Sequence, residues 1–402
     1  MTVLLLTILR GAAMGLAWFA AVVLFVLSPA IGSIASIVAV LALLLLSPVA
    51  FLRGSWTTLR RQPAMLLFLA AFLSLLVCFI ATAREFGDTL FATNFLGLLL
   101  APAAYLLALR RPGARTIATI ATLCALGAVV GALTGSYDVF IQHKERAIGW
   151  GSGGNLMART VVLLGFMGLA GIIGLRSPWR WLLVIGAAAS LFALYLTSTR
   201  GVFVAVPVLG LLFVWALLRE MRASRLWYLA GLGVLVVAVG AVALMSPRFL
   251  AVASLLEQVV VDPSAIPDPS TTERLAMWQA GWTALLRAPL LGHGWAHLSE
   301  AALPYVLSMY HNDFFNAAVA AGIVGIVAWL ATLVAPVVGV LVLPPDRYAN
   351  LRLYGALLLS LSFFVFGLTD MTFGYDLPTT LHAVLTAIVL GAFREPDEVS
   401  RP

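Results

Sequence analysis

The feature that leaves this chain the fewest options is a succession of apolar runs, each close to the length of a bilayer crossing. They fall at about 3–27, 33–52, 63–83, 89–109, 116–134, 156–175, 180–197, 201–218, 226–245, 313–342, 353–370 and 377–393. A helix rises about 1.5 Å per residue, so roughly 20 apolar residues cross the hydrocarbon core. Within that core every backbone N–H and C=O must be paired, which leaves helices as the natural form for runs of this length. The expectation is an all-α polytopic membrane protein with about twelve transmembrane helices, residues 1–402 forming a single integral membrane domain. Only 10% of the residues are charged, against roughly 25% in soluble domains. The run at 313–342 is long for one span and is expected to tilt or to break near Pro336. The first run has no small-residue cleavage site after it and reads as a span that stays.

Basic residues set the orientation. With the N-terminus in the cytoplasm, sixteen of the 24 Lys and Arg residues fall in inside loops and twelve of the seventeen Asp and Glu residues fall outside. The asymmetry predicts both termini inside. The arginines are spread through short loops, which argues against a nucleic-acid face. Cys78 and Cys124 both lie within apolar runs and read as packing residues. There is no CxxC or HExxH pattern, so no metal site is expected.

One long polar interruption remains, residues 246–312, on the predicted outer side. It holds three of the five histidines, with prolines, glycines and carboxylates. Chemistry there has no ATP or nucleotide sugar to draw on, so an enzyme needs a donor that is already activated. Ser270-x-x-Glu273 has the form of a capping box and predicts a helix to about Arg287, ending before Pro289. Leu275, Trp278, Trp282, Leu285 and Leu286 recur at helical spacing and suggest a helix lying in the interface. Arg274 falls in its first turn, where unpaired N–H groups and the helix dipole favour anions; the alternative is a local pair with Glu273 or Asp268. Gly292-His293-Gly294 and His297 read as a tight turn with surface histidines. His311 stands at the mouth of the next span, where a neutral imidazole can accept a hydroxyl proton, and Asn312 or Asp313 could orient it; a helix cap is the plainer reading.

Shorter outer segments add candidates. Thr197-Ser198-Thr199-Arg200-Gly201 combines hydroxyls and a guanidinium at a chain reversal, as an oxyanion site would; a snorkelling anchor is the alternative. The loop at 135–159 carries Arg146, a glycine-rich stretch and Asn155, and could cup a polar headgroup or be merely flexible. Arg159 lies one turn inside the next span, which is costly unless it is paired or wet. Arg84 is either part of a local ion pair or an additional cation at the outer face. Asp370 faces the outer end of its span as a supporting polar group.

Three motifs in order then carry a resemblance: Thr-Ser-Thr-Arg-Gly (197–201); Glu-Arg-x-x-x-Trp (273–278) with Pro-Leu-Leu-Gly-His-Gly (289–294); and His-Asn-Asp-Phe-Phe-Asn (311–316) with Ala-Gly-Ile-Val-Gly (321–325). Over roughly 150–330 the chain resembles the bacterial O-antigen ligase and polymerase family. The resemblance implies a type C glycosyltransferase-like helical fold in the inner membrane, an undecaprenyl-diphosphate-linked glycan donor, and no cofactor, metal or nucleotide. It carries over Arg200 and Arg274 as binders of the donor diphosphate and His311 as the catalytic base. Arg146, Arg159, Asn155, Ser198, Asn312, Asp313, Arg84 and Asp370 are supporting candidates. About twelve spans and one dominant loop look more like the ligase, whose acceptor would be lipid A–core oligosaccharide, than the polymerase. A polymerase would be expected to carry more positive charge in the second outer loop than Lys144 and Arg146 supply. A lipid-linked-sugar transporter is the rival from another class; no internal repeat of the kind transporters show is evident.

Overall fold

The structure, a computed structural model, describes residues 15, 19–51, 55–149, 153–220, 269–303 and 309–396. Eleven longer helices position the site. We number them α1 (Ser33–Phe51), α2 (Pro63–Thr82), α3 (Phe86–Ala108), α4 (Ala114–Ile141), α5 (Gly154–Gly174), α6 (Pro178–Thr197), α7 (Arg200–Glu220), α8 (Pro269–Arg287), α9 (Asp313–Leu341), α10 (Ala349–Thr369) and α11 (Asp376–Ala392). Eight of these, α2–α7, α9 and α10, are long and apolar enough to cross a membrane, and α1 and α11 are shorter apolar helices. Their bounds track the predicted spans closely. The predicted span 226–245 lies outside the described residues, as do most of 3–27 and the part of the long loop before Pro269.

α5 is the central element. It is buried over 94% of its most apolar stretch, whereas α7 is buried over only 28%. It packs against α4, α6 and α10, and α9 crosses against α2 and α10. Cys78 and Cys124 are free and buried, as packing residues are.

The polar contacts separate into two ends. At one, Arg110 donates to the Ala50 carbonyl at 3.3 Å, Asn350 to Ala216 at 2.9 Å, Gln62 to Gly339 at 3.4 Å, and Arg352 pairs with Asp346. At the other, Arg84 meets Glu300 at 2.6 Å, the Ser33 and Ser36 hydroxyls meet Asp376 at 2.9 and 2.6 Å, and His311 meets Asp370 at 2.8 Å. The loops predicted to share a side thus meet one another.

The predicted break in the 313–342 run is at a different residue. α9 leaves helical geometry at Ala321 (φ −139°) and Gly322 (φ 60°, ψ −144°), two turns in from its start. The carbonyls freed there are taken by the loop: His293 N–H donates to Val319 at 2.8 Å and Gly294 N–H to Ala320 at 3.0 Å, while Ile323 N–H returns a bond to Pro289 at 2.8 Å. Pro336 stays within the helix. Its missing N–H would strand the Thr332 carbonyl, but His382 Nε2 donates to that oxygen at 3.0 Å, so the helix does not have to open there.

Candidate functional site

The outer-end polar cluster is built around Asp370, the first residue past α10. Its carboxylate accepts from His311 Nδ1 at 2.8 Å on one oxygen, and from Asn155 Nδ2 at 2.8 Å and the Arg159 guanidinium on the other. Arg159 also donates to the Met371 carbonyl, and Met371 N–H donates to Asp370 at 2.9 Å. A buried arginine and a buried carboxylate each cost several kcal/mol to desolvate and persist because they face each other. Burial pushes the Asp370 carboxyl up, but the hydrogen bond from His311 and the charges of Arg159 and His311 outweigh it and hold the group well below the usual carboxylate range. It is therefore a fixed anion.

A fixed anion on Nδ1 sets the imidazole tautomer: Nδ1 carries the proton, and Nε2 presents a lone pair. The His311 side chain is 33% exposed, whereas Asp370 is 8% exposed. Nε2 has no partner among the described residues. His311 itself adopts the left-handed conformation (φ 47°), which a non-glycine residue takes only when its surroundings demand it. Those surroundings are specific. On one side Tyr310 N–H donates to Asn316 at 2.9 Å and its carbonyl accepts from Trp278 of α8 at 3.2 Å; on the other, the Asn312 side chain caps α9 by accepting from Phe314 N–H at 2.9 Å.

Asn312 and Asp313, expected as partners of the His311 ring, act on backbone instead. Asn312 donates to the Leu368 carbonyl at 3.3 Å, and Asp313 accepts from Thr372 N–H at 2.6 Å and Phe373 N–H at 3.2 Å. Together they clamp the turn that carries Asp370. The sequence reading missed Asp370 as the histidine's partner; the available signal was Arg159, since an arginine one turn inside a span demands an acid at the same depth.

The Arg200 turn abuts this cluster. Thr199 donates toward Asn155 Oδ1 at 3.4 Å, and a methyl on Gly201 would collide with Thr369, the neighbour of Asp370. Ser198 is left-handed (φ 57°) and ends α6, so the chain reverses just before Arg200. Arg200 is exposed and Arg274 half-buried, and neither has a protein partner among the described residues. Arg274 stands one helical turn before Trp278, the residue that holds Tyr310. Arg84 is not part of this group. It is exposed, and its guanidinium pairs with Glu300, whose carboxyl it holds low.

Two expectations for the loop are corrected. His297 is buried rather than superficial, its ring lying 3.1 Å from Asp88 and 3.4 Å from Glu300; His293 donates to the Ala284 carbonyl at 2.8 Å near the end of α8. The apolar stripe of α8 is divided: Trp278 and Leu285 face the bundle, whereas Leu275, Trp282 and Leu286 are exposed. The Ser270 side chain, and with it the predicted capping box, lies outside the described residues, as do Trp150, Gly151 and Ser152.

The cavities bordering Asp313 and Arg159 measure about 20 and 10 Å³, room for a water rather than a sugar. Among the described residues no group of three His, Cys, Asp or Glu is placed to hold a metal ion.

A search of curated proteins matches none to this chain. Residues 185–330, the segment that holds Arg200, Arg274, His311 and the break at Gly322, match the family model described as O-antigen ligase.

Proposed function

We propose that this protein is an O-antigen ligase acting in lipopolysaccharide biosynthesis. It transfers a glycan from undecaprenyl diphosphate to lipid A–core oligosaccharide at the periplasmic face of the bacterial inner membrane. The observation that carries this reading is the His311–Asp370–Arg159 chain, against which the Arg200 turn packs through Thr199 and Gly201, with Arg274 one helical turn before Trp278; among the described residues neither arginine has a protein partner. The acceptor hydroxyl gives its proton to Nε2 of His311 as its oxygen attacks the anomeric carbon of the donor. Asp370 stabilises the imidazolium that forms, and Arg159 keeps Asp370 ionised and in place. The electron pair of the breaking bond goes to the diphosphate, which Arg200 and Arg274 stabilise. A single displacement of this kind inverts the anomeric centre. A diphosphate so stabilised leaves without a general acid.

The test is transfer in proteoliposomes with labelled lipid-diphosphate glycan. His311→Ala is expected to lower turnover by about 100-fold or more, with Arg200→Ala and Arg274→Ala also impaired. Wild-type activity in a folded His311→Ala protein removes the base assignment. Label on lipid A–core marks a ligase, longer lipid-linked chains a polymerase, and movement across the membrane without a new glycosidic bond a transporter.

A further inference from the structure

The loop before α5 contains a cation that the reaction above does not use. Asp138, fully buried, accepts from Lys144 Nζ at 2.7 Å, Ile148 N–H at 3.0 Å and Gly149 N–H at 2.8 Å, which folds residues 144–149 back onto the end of α4. Ala147, also fully buried, donates its N–H to the Leu196 carbonyl at 2.9 Å and ties this segment to the last turn of α6. The fold consumes the charge of Lys144. It leaves Arg146 exposed and with no carboxylate partner among the described residues, on backbone fixed at the residue that follows it. Arg146 Nε lies 4.0 Å from where a methyl on Gly154 would sit, and Thr199 donates toward the Gly154 carbonyl at 3.5 Å. Gly154 thus stands between Arg146 and the turn that bears Arg200.

We propose that Arg146 is a third cation of the diphosphate site and that it acts on the departing diphosphate more than on the bound donor. The inference rests on the glycan transfer proposed above. A donor diphosphate is esterified at both ends and carries two negative charges, which Arg200 and Arg274 match. In the reaction the anomeric carbon–oxygen bond breaks and its electron pair passes to the terminal phosphate oxygen. The acceptor oxygen forms the new bond to that carbon, and its proton goes to His311. The released diphosphate is esterified only at its lipid end and carries a third charge. A guanidinium held across Gly154 from the turn that bears Arg200 offsets that new charge, and a contact that strengthens in the transition state raises kcat rather than lowering KM.

Kinetics of the full-length protein in proteoliposomes test this. Arg146→Ala is expected to lower kcat about tenfold or more with the donor KM changed less than about twofold, and Arg146→Lys to restore part of the loss. A second arm needs no turnover: His311→Ala protein is titrated with undecaprenyl diphosphate and with the intact glycan donor. Adding Arg146→Ala should weaken the first about tenfold and the second little. Equal weakening of both, no weakening, or a loss that follows the phosphatidylglycerol content of the vesicles overturns the proposal. If the wild-type protein forms no glycosidic bond, the transfer reading fails, and the titration still decides whether Arg146 favours the additional charge.

Discussion

Asp370 serves two neighbours at once, and their demands differ. For Arg159 it is the counter-charge that makes a buried guanidinium tolerable; for His311 it fixes the tautomer. Asp370→Asn keeps the shape and removes the charge. We expect it to cost about 3 kcal/mol through the uncompensated Arg159 and to lower transfer by about 100-fold or more through the imidazole. Adding Arg159→Met should recover stability without recovering activity, which separates the two roles. The pH dependence has a definite sign. Because the folded-state pKa of Asp370 is depressed below 3.8, its stabilisation is fully present above that ordinary value and is lost as pH falls through the lower, folded one. The contribution of the Asp370 charge to the difference in unfolding midpoint between wild type and Asp370→Asn should therefore be lost from about pH 5 toward pH 3. A difference that grows between about pH 5 and pH 3 would contradict the geometry. Arg159 was legible as an anomaly in the sequence because charge is costly at that depth. Its partner was not, since 211 residues separate them and only packing of α5 on α10 brings them together.

The re-entrant contact between residues 289–294 and the break in α9 is a backbone device. Helical carbonyls freed inside a membrane must find donors, and here a loop supplies them from its own main chain. The approach leaves no room for side chains. A methyl on Gly322 would lie 2.5 Å from the Leu290 carbonyl atoms, and one on Gly292 would lie 2.5 Å from the main chain at Val319, Ala320 and Ala321. Both residues also have positive φ, at 60° and 69°. Gly322→Ala and Gly292→Ala should each cost about 2 kcal/mol or more and expose the loop to protease. Gly210→Ala in α7, where nothing lies within 4 Å, should be neutral or stabilising by up to about 1 kcal/mol. Thermal unfolding in detergent checks the contrast; equal effects at all three positions would refute the docking. The motifs at 289–294 and 321–325 were visible as separate glycine-containing stretches. That each explains the other follows only from their contact.

At the scale of the molecule, the two polar ends differ in what their charges do. The arginine-rich end is tied mainly to helix-terminal carbonyls, as with Arg110 on Ala50 and Asn350 on Ala216, whereas the other end brings together carboxylates, histidines and arginines that have no partner among the described residues. Placing the second end in the periplasm makes a direct prediction. With Cys78 and Cys124 buried, a cysteine at Glu300 should react with a membrane-impermeant maleimide in intact spheroplasts, and one at Arg347 only after permeabilisation. The reverse pattern would invert the topology and remove the substrate assignment with it.

The positions of the described spans, helical class and the segregation of their loops into two sets were determined by the sequence itself, because bilayer thickness and backbone hydrogen bonding act on local stretches and leave a local record. Arg200 and His311 stood out in the sequence as polar residues at the ends of apolar runs, and Arg274 as a cation in the first turn of the helix within the polar stretch. Which carboxylate pairs with His311, why α9 breaks at Gly322 rather than Pro336, and that Arg84 and Arg159 are paired while Arg146 has no carboxylate partner among the described residues were decided by tertiary structure. Each depends on a pairing across helices distant in sequence, and in a low-dielectric interior such pairings determine which charges are consumed and which remain for a substrate.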